Sequence, residues 1–293
     1  MQRVLSVSRR TDIPAFYLDW FQRGMDRGRF DVRNPRSGRV SRVPVSPETV
    51  HSFVFWSKNF GPFLTRTIGE RLRDAGYGLF FQFTVNSADS LLEPCVPPLE
   101  DRLAQLHTLS ERFGADRVIW RFDPVCRYQD PRGRMRNNLS DFPLIAREAS
   151  QAGIHRCITS FADPYRKVSK RFADKHLVLI DPSPDWKSSV IRRMVHVLSP
   201  FEIDLALCCE PDVCKAAEKT LPVSAAACVD GTLLKQLKPG RVSAAKDTGQ
   251  RRSQGCGCTR STDIGSYAGH PCYHHCLYCY AAPAKTAGKQ VLL

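Results

Sequence analysis

Residues 118–124 read Val118-Ile119-Trp120-Arg121-Phe122-Asp123-Pro124. An apolar, β-branched and aromatic run of this length, closed by a proline that cannot continue a ladder, predicts a buried strand. Arg121 interrupts the run, and Asp123 follows two residues later on the same strand face. A buried guanidinium needs a partner or an anionic ligand. The stretch therefore describes a strand that ends in a pocket, with an Arg121–Asp123 pair in its wall.

Six further runs have the same form. They are Val4–Val7, His51–Trp56, Leu79–Thr84, Arg156–Phe161, Ile203–Cys208 and Ser224–Cys228. Helical spacing of apolar residues lies between them, over 14–27, 100–113, 139–153 (with Ser140 as its cap) and 188–198. Strand alternating with helix predicts a mostly parallel sheet. About seven such units in one chain favour a full or partial TIM-like α/β barrel, which typically takes ~250 residues. The expected organisation is one domain over 1–293, with a cysteine-rich segment at 250–285 over the barrel mouth. The polar stretch 162–187 reads as a lid or insertion.

In a parallel barrel the functional groups come from the C-terminal strand ends. Those ends carry Arg9, Arg10 and Asp12, then Lys58, then Gln82, then Arg121 and Asp123, then Ser160, then Cys209 and Glu210, then Cys228. Arg9, Arg10, Asp12, Lys58, Arg121 and Asp123 are the candidate catalytic set.

Composition narrows the class. The chain has 293 residues, a hydrophobic share of 42% and a charged share of 25%, so it can bury a full core and is not disordered. No apolar run reaches the ~18 residues of a membrane span, and MQRVLSVSRRTD has no signal-like apolar region. A cytoplasmic protein without membrane attachment is expected. The net charge of +14 comes from arginine-rich clusters at 3–42, 127–136, 166–171 and 246–252. They suit an anionic partner such as nucleic acid or a nucleotide.

Twelve cysteines in such a chain point to metal, cluster or redox chemistry rather than disulfides. The sharpest pattern is Cys272-x3-Cys276-x2-Cys279, with Tyr278 before the third cysteine. Three thiolates on one short loop suit three irons of a [4Fe–4S] cluster, leaving the fourth iron for an external chelator. Zinc is the alternative, with His274 or His275 as fourth ligand. Cys209, Cys228, Cys256 and Cys258 form a second candidate set, for an auxiliary cluster or an all-cysteine zinc site, with Gly257 letting the backbone curl. Cys208 is expected to face the opposite side of its strand.

The C-x3-C-x2-C spacing with its aromatic resembles the cluster motif of the radical S-adenosylmethionine (SAM) superfamily. That resemblance implies a [4Fe–4S] cluster on Cys272, Cys276 and Cys279, SAM on its open iron, a 5′-deoxyadenosyl radical, and a reductase, flavodoxin or ferredoxin as electron donor. It also implies cofactor contacts from Tyr278, Gln82 and Ser160. In that superfamily the motif follows the first strand, whereas Cys279 stands fourteen residues before Leu293. No Gly-Gly-Glu methionine-binding motif is present, and Glu210 is its substitute candidate.

A narrower resemblance covers nearly the whole chain. SRRTDIPAFY (8–17), FVFWSKN (53–59), FFQFTV (80–85), WRFDPV (120–125), CGCTRSTDIG (256–265) and CLYCYA (276–281) are similar to the bacterial family known as domain of unknown function 1848. Its members carry a radical-SAM-like cysteine cluster at the C-terminus and imply no particular substrate. Two other readings stay open. One is a non-catalytic iron–sulfur or zinc protein that binds nucleic acid, with Trp56, Trp120 and Trp186 stacking on bases. The other is a hydrolytic barrel with Asp12 and Asp123 around a divalent metal.

Overall fold

The structure, a computed structural model, describes residues 1–35, 37–281, 283 and 284. Arg36, the Arg252 side chain and residues 282 and 285–293, which belong to the expected basic clusters and domain bounds, lie outside the described residues.

The chain opens with β1 (Arg3–Val7), α1 (Ile13–Phe16), α2 (Leu18–Asp26) and the strands β2 (Arg29–Arg33) and β3 (Val40–Pro44). Next come β4 (Val50–Ser57), α3 (Gly61–Thr65), α4 (Ile68–Asp74), β5 (Gly78–Thr84) and α5 (Leu99–Phe113). The middle of the chain holds β6 (Val118–Val125), β7 (Arg127–Gln129), β8 (Met135–Asn137), α6 (Phe142–Gln151), β9 (Arg156–Phe161), α7 (Arg166–Ala173), β10 (Val178–Leu179) and α8 (Pro184–Leu198). It continues with β11 (Asp204–Leu207), α9 (Pro211–Ala217), β12 (Val223–Ala225), α10 (Gly231–Leu237) and β13 (Thr262–Asp263).

Eight strands form one sheet in the order β12-β11-β9-β6-β5-β4-β1-β13. Every neighbouring pair is parallel. All eight C-terminal ends therefore lie along one edge of the sheet, as a site assembled from strand ends requires. The edge strands β12 and β13 do not pair with each other. The chain around them does meet, because Thr259 N–H donates to Val229 O at 2.8 Å.

Side chains alternate across the sheet. One face, with Phe53, Phe55, Phe81, Phe83, Trp120 and Phe122, packs against the helices in the main core. The other face carries a thin apolar layer of Val4, Val54, Phe80, Ile119 and Ile158. Two residues further along each strand, the same face turns polar or aromatic: Ser6, Trp56, Gln82, Arg121 and Ser160 follow in that order. The period of two thus stacks a functional layer on an apolar one.

Several local expectations change. The helix expected over 14–27 is two helices, broken at Tyr17, whose hydroxyl donates to Pro271 O at 2.5 Å. Asp12 caps the first by accepting from Ala15 N–H at 3.0 Å. Ser140 is not the cap of α6. Asp141 precedes the helix, and its carboxylate instead accepts Ala88 N–H at 2.8 Å, so it ties the helix start to the loop after β5. The stretch 162–187 is not an open lid. It contains α7 and β10, whose Val168, Phe172 and Leu179 pack with Leu277 and Tyr278. Among the described residues, no helix is long and apolar enough to cross a membrane.

Candidate functional site

A cavity of about 290 Å³ opens at the C-terminal ends of the parallel strands. Ser8 to Asp12 line it after β1, Trp56 to Lys58 from the end of β4, Arg121 and Asp123 from β6, and Ser160 from β9. Cys209 and Glu210 contribute after β11 and Cys228 after β12, and the segment beyond residue 250 contributes ten more residues, seven of them cysteine or tyrosine.

One wall is the loop Cys272-Tyr273-His274-His275-Cys276-Leu277-Tyr278-Cys279. Cys272, Cys276, Tyr278 and Cys279 all line the cavity. The loop is held from three sides. Arg171 on α7 donates to Leu277 O at 3.0 Å, to Ala281 O at 3.3 Å and to Cys279 O. Leu277 N–H donates to Leu92 O at 2.9 Å. His274 bonds Asp12 Oδ2 at 2.8 Å through Nε2 and Cys95 O at 3.2 Å through Nδ1.

Beneath the loop lies a buried polar network. Glu93 Oε1 accepts from Lys58 Nζ at 2.8 Å, from Asn86 Nδ2 at 2.8 Å and from the Tyr278 hydroxyl. Arg102 Nη1 lies 3.6 Å from Glu93 Oε2. Burial alone would raise the Glu93 carboxyl, but Lys58 and Arg102 outweigh it and hold it down to about 2. Burial likewise opposes the Lys58 charge, and Glu93 reverses that and raises the ammonium above its usual value. Two cations against one carboxylate leave the floor of this wall positive.

The opposite wall carries five sulfurs. Cys228 Sγ lies 3.5 Å from Cys208 Sγ, and Cys208 Sγ lies 3.9 Å from Cys209 Sγ. Cys256 and Cys258 line the same wall. Cys208 was expected on the far face of its strand. It belongs to this wall instead, following Ala206 on the same face by strand alternation, and the left-handed backbone at Cys209 (φ 58) brings the neighbouring sulfur to that side as well. Gly257 matters for close approach: a Cβ there would stand 2.6 Å from Ala226 O.

Cations and one indole join the walls. Arg121 Nη1 donates to Cys228 Sγ at 3.0 Å and to Gln82 Oε1 at 3.2 Å. Its Nη2 pairs with Asp123 Oδ2 at 2.5 Å, as the sequence predicts. Burial would raise the Asp123 carboxyl, but Arg121 keeps it below the usual range, helped by the Ser160 hydroxyl. Arg9 and Arg121 both lie over the Trp56 ring, at 5.0 and 5.3 Å. Arg9 Nη2 and Trp56 Nε1 are buried donors without a hydrogen-bond partner. Unsatisfied donors at a cavity wall mark where a ligand acceptor fits.

The structure brings sixteen of the seventeen sequence-derived site residues to this cavity; Gln82 is the exception. Gln82 is buried behind the wall, where its Nε2 donates to Cys228 O at 2.8 Å and its oxygen accepts from Arg121. It positions those groups and does not face the cavity. Asp12 faces it, but its oxygens accept from Ala15 N, Ser57 Oγ and Lys58 N and bond His274. With Asp123 tied to Arg121 and Ser160, the two carboxylates do not form the open pair that a hydrolytic metal centre needs. Arg10 lines the cavity while its Nη1 donates to Gly265 O at 2.9 Å. Glu210 accepts Phe161 N–H at 3.0 Å and lies 3.5 Å from Lys187 Nζ; burial raises its carboxyl.

The nucleic-acid reading loses one stacking group. Trp120 is fully buried and stacks on Phe142. Trp186 lies under Arg127, and only Trp56 lines the cavity. Part of the second basic cluster is also spent, since Arg134 and Arg136 both pair with Asp130. Sequence reasoning missed Glu93 and Arg251. Glu93 lies in a Pro-containing loop without periodicity, and Arg251 was read only as part of a basic cluster.

Cys272, Cys276 and Cys279 are the thiols of this loop that could hold a cluster or a metal. Burial raises the Cys272 thiol to about 12 and pushes Cys276 well above its ordinary value, so binding must displace their protons. His274 is already engaged by Asp12 and Cys95, and His275 does not line the cavity. Among the described residues, no three Cys, His, Asp or Glu side chains converge as ligands of one metal ion do.

No curated protein matches the chain. Among solved structures it is similar to pyruvate carboxylase from Rhizobium etli. A variant crystallized without acetyl coenzyme-A is 11% identical over 86% of this chain and 27% of that one, with a TM-score of 0.34. The carboxyl transferase domain with 3-bromopyruvate is 12% identical over 82% of this chain and 43% of that one, with a TM-score of 0.31. The chain spans less than half the length of these proteins. The model for Domain of unknown function (DUF1848) matches residues 4–281, in keeping with the sequence resemblance, and the chain belongs to that family.

Proposed function

We propose that the protein is an iron–sulfur enzyme of the radical SAM type acting on an anionic substrate. In this reading Cys272, Cys276 and Cys279 hold a [4Fe–4S] cluster, and SAM takes the iron that this loop leaves open. A partial or closed barrel would be its scaffold. The observation that carries the reading is the sharing of one cavity by the three cysteines with Arg9, Arg10, Lys58 and Arg121 at the ends of parallel strands.

Bound there, the cluster and SAM would supply one-electron radical chemistry. The chain's own residues bind and orient. Arg171, His274 and Leu277 fix the loop that carries the thiolates. Lys58 and Arg102, set against Glu93, keep positive charge under it. Arg9 Nη2 and Trp56 Nε1 offer free donors to a carboxylate or phosphate. Glu210, within the same cavity, is the acceptor available to the amino group of SAM. A reductase, flavodoxin or ferredoxin would deliver the electron.

The test is anaerobic. Reconstituted protein is reduced in the presence and absence of SAM. The reading expects a SAM-dependent change in the electron paramagnetic resonance signal and formation of 5′-deoxyadenosine. A reconstituted, reducible cluster that shows neither would overturn it.

A further inference from the structure

We propose that Cys208 and Cys228 are a redox-active dithiol, oxidised to a disulfide by a hydroperoxide that enters the cavity. The site stands whether or not the loop from Cys272 to Cys279 holds a cluster.

The two sulfurs already meet. Cys228 Sγ lies 3.5 Å from Cys208 Sγ. A disulfide bond is about 2.05 Å long, so the remaining approach is about 1.5 Å. Both residues are free thiols, and both line the cavity. Cys208 is 8% exposed and Cys228 3%, so a small oxidant reaches them through the cavity and not from the outer surface. Cys126 and Cys157 differ on this point. They are fully buried and do not line the cavity. They fill the role of small apolar side chains.

The fold favours this pair over its neighbours. Cys208 follows β11 and Cys228 lies beyond β12, and these strands pair in parallel with Leu207 opposite Ala225. Cys208, Ala226 and Cys228 pack in the same layer on one face of the sheet. β12 is only three residues long and stands at the edge of the sheet, bonded to β11 alone. So short an edge strand can yield the small shift that bond formation requires. Cys209 Sγ also stands near, 3.9 Å from Cys208 Sγ. Adjacent residues, however, hold their Cα atoms about 3.8 Å apart. Disulfides usually span about 4.4–6.8 Å between Cα atoms, so the vicinal pair is the poorer candidate.

Arg121 supplies the charge that the chemistry needs. Its Nη1 donates to Cys228 Sγ at 3.0 Å. Contact with Cys208 and Cys258 and burial raise the Cys228 thiol well above its ordinary value, and Arg121 opposes them. The guanidinium thus stabilises the thiolate as Cys228 gives up its proton. Cys228 Sγ attacks one oxygen of hydrogen peroxide, the O–O bond breaks, and the thiol proton leaves with the other oxygen as water. The product is a sulfenic acid. Cys208 Sγ then attacks Cys228 Sγ, the S–O bond breaks, and a second water carries away the Cys208 proton. Two thiols lose two electrons, and one peroxide becomes two waters. The bond would tie the edge strand to β11 and change the sulfur that Arg121 meets. Because Arg121 also holds Asp123, the state of the pair reaches the carboxylate side of the cavity.

Peptide mapping tests this. The full chain, prepared without oxygen, is treated with equimolar hydrogen peroxide, blocked with iodoacetamide in denaturant and digested with trypsin. Trypsin releases Cys208 within residues 194–215 and Cys228 within residues 220–235. Mass spectrometry should find these two peptides joined, with fragment ions placing the bond on Cys208, and dithiothreitol should separate them. The link should persist in Cys209→Ser and vanish in Cys208→Ala. The wild-type map decides even if Cys208→Ala does not fold. Both thiols alkylated after peroxide treatment would overturn the assignment. So would Cys228 joined instead to Cys209, Cys256 or Cys258, or a Cys228 that peroxide carries only to sulfinic acid.

Discussion

Arg121 is bonded at once to a sulfur and to a carboxylate: its Nη1 lies 3.0 Å from Cys228 Sγ and its Nη2 lies 2.5 Å from Asp123 Oδ2. The strand carrying it therefore connects the cysteine wall to the carboxylate and hydroxyl layer of the cavity. Gln82, on the next strand, accepts from the same guanidinium.

Arg121→Met should destabilise the protein by about 1–3 kcal/mol, because it removes the ion-pair partner of the half-buried Asp123. Arg121→Lys keeps the charge but cannot serve three acceptors in one plane, so it should fall between the two. Urea unfolding midpoints of the three proteins check the order. Equal midpoints would show that the pair contributes nothing net.

Glu93 predicts an acid limb. Its folded value is held to about 2 against an ordinary 4.5, so the unfolded chain takes up its proton first as pH falls. The stabilisation is fully present above the ordinary value and is lost between about 4.5 and 2. Glu93→Gln should cost about 3–5 kcal/mol near neutrality, by stranding Lys58 and Arg102. Thermal midpoints of wild type and variant should converge as pH drops through that window. A constant gap down to the acid end would contradict the assignment.

Arg171 acts on the cysteine loop from outside it, through three carbonyls. Arg171→Ala should cost about 1–3 kcal/mol through those unsatisfied acceptors. Iron bound by Cys272, Cys276 and Cys279 should then leave faster on exposure to a chelator. The release rate, followed by the loss of visible absorbance, measures this; an unchanged rate would mean that the loop holds itself.

Trp56 and Trp120 should separate function from stability. Trp120 is fully buried, and its indole donates to Val85 O at 2.9 Å, so Trp120→Ala should cost about 3–5 kcal/mol. Trp56→Phe retains a ring beneath Arg9 and Arg121 but removes the free N–H. Its unfolding midpoint should move little, while ligand affinity, read by titration calorimetry with SAM, falls.

Gly257→Ala places a Cβ 2.6 Å from the Ala226 carbonyl oxygen, a contact that backbone must move to relieve. The segment carrying Cys256 and Cys258 should shift away from Cys228. Overpacking of this kind typically costs about 1–3 kcal/mol. The urea unfolding midpoint should fall with it, whereas Gly249→Ala on the exposed turn nearby should leave the midpoint unchanged.

The main sheet was legible because its strands are short, apolar and alternate with helices of clear period. Seven of its strands were read in place from that signal. β13 was not, since Thr262 and Asp263 have no apolar signature and pair only through the register of β1. The hairpin β2–β3 escaped for a related reason: its side chains are mostly exposed, so no burial pattern marks it. The strand-end polar residues were legible from charge set in apolar context, as at Arg121. Glu93 was not, because its importance arises from Lys58, Arg102, Asn86 and Tyr278, which meet it only in three dimensions. Cys208 was misplaced by giving its face of the strand to Cys209, which reaches that side only through its left-handed backbone.

The pairing of β1 with both β4 and β13 has a consequence for synthesis. Asp263 accepts from the Ser6 and Ser8 hydroxyls and from Arg9 N–H, across a separation of 255 residues in the case of Ser8. A ribosome adding ~5–20 residues per second needs roughly 10–50 s to cover such a span. Through that interval the nascent chain holds an open β1 edge, with Arg9 and Arg10 lacking their partners near Asp263 and Gly265. Completion of the pocket thus waits for the segment that carries Cys256 to Cys279, and a chain stalled before it carries a sheet without a site.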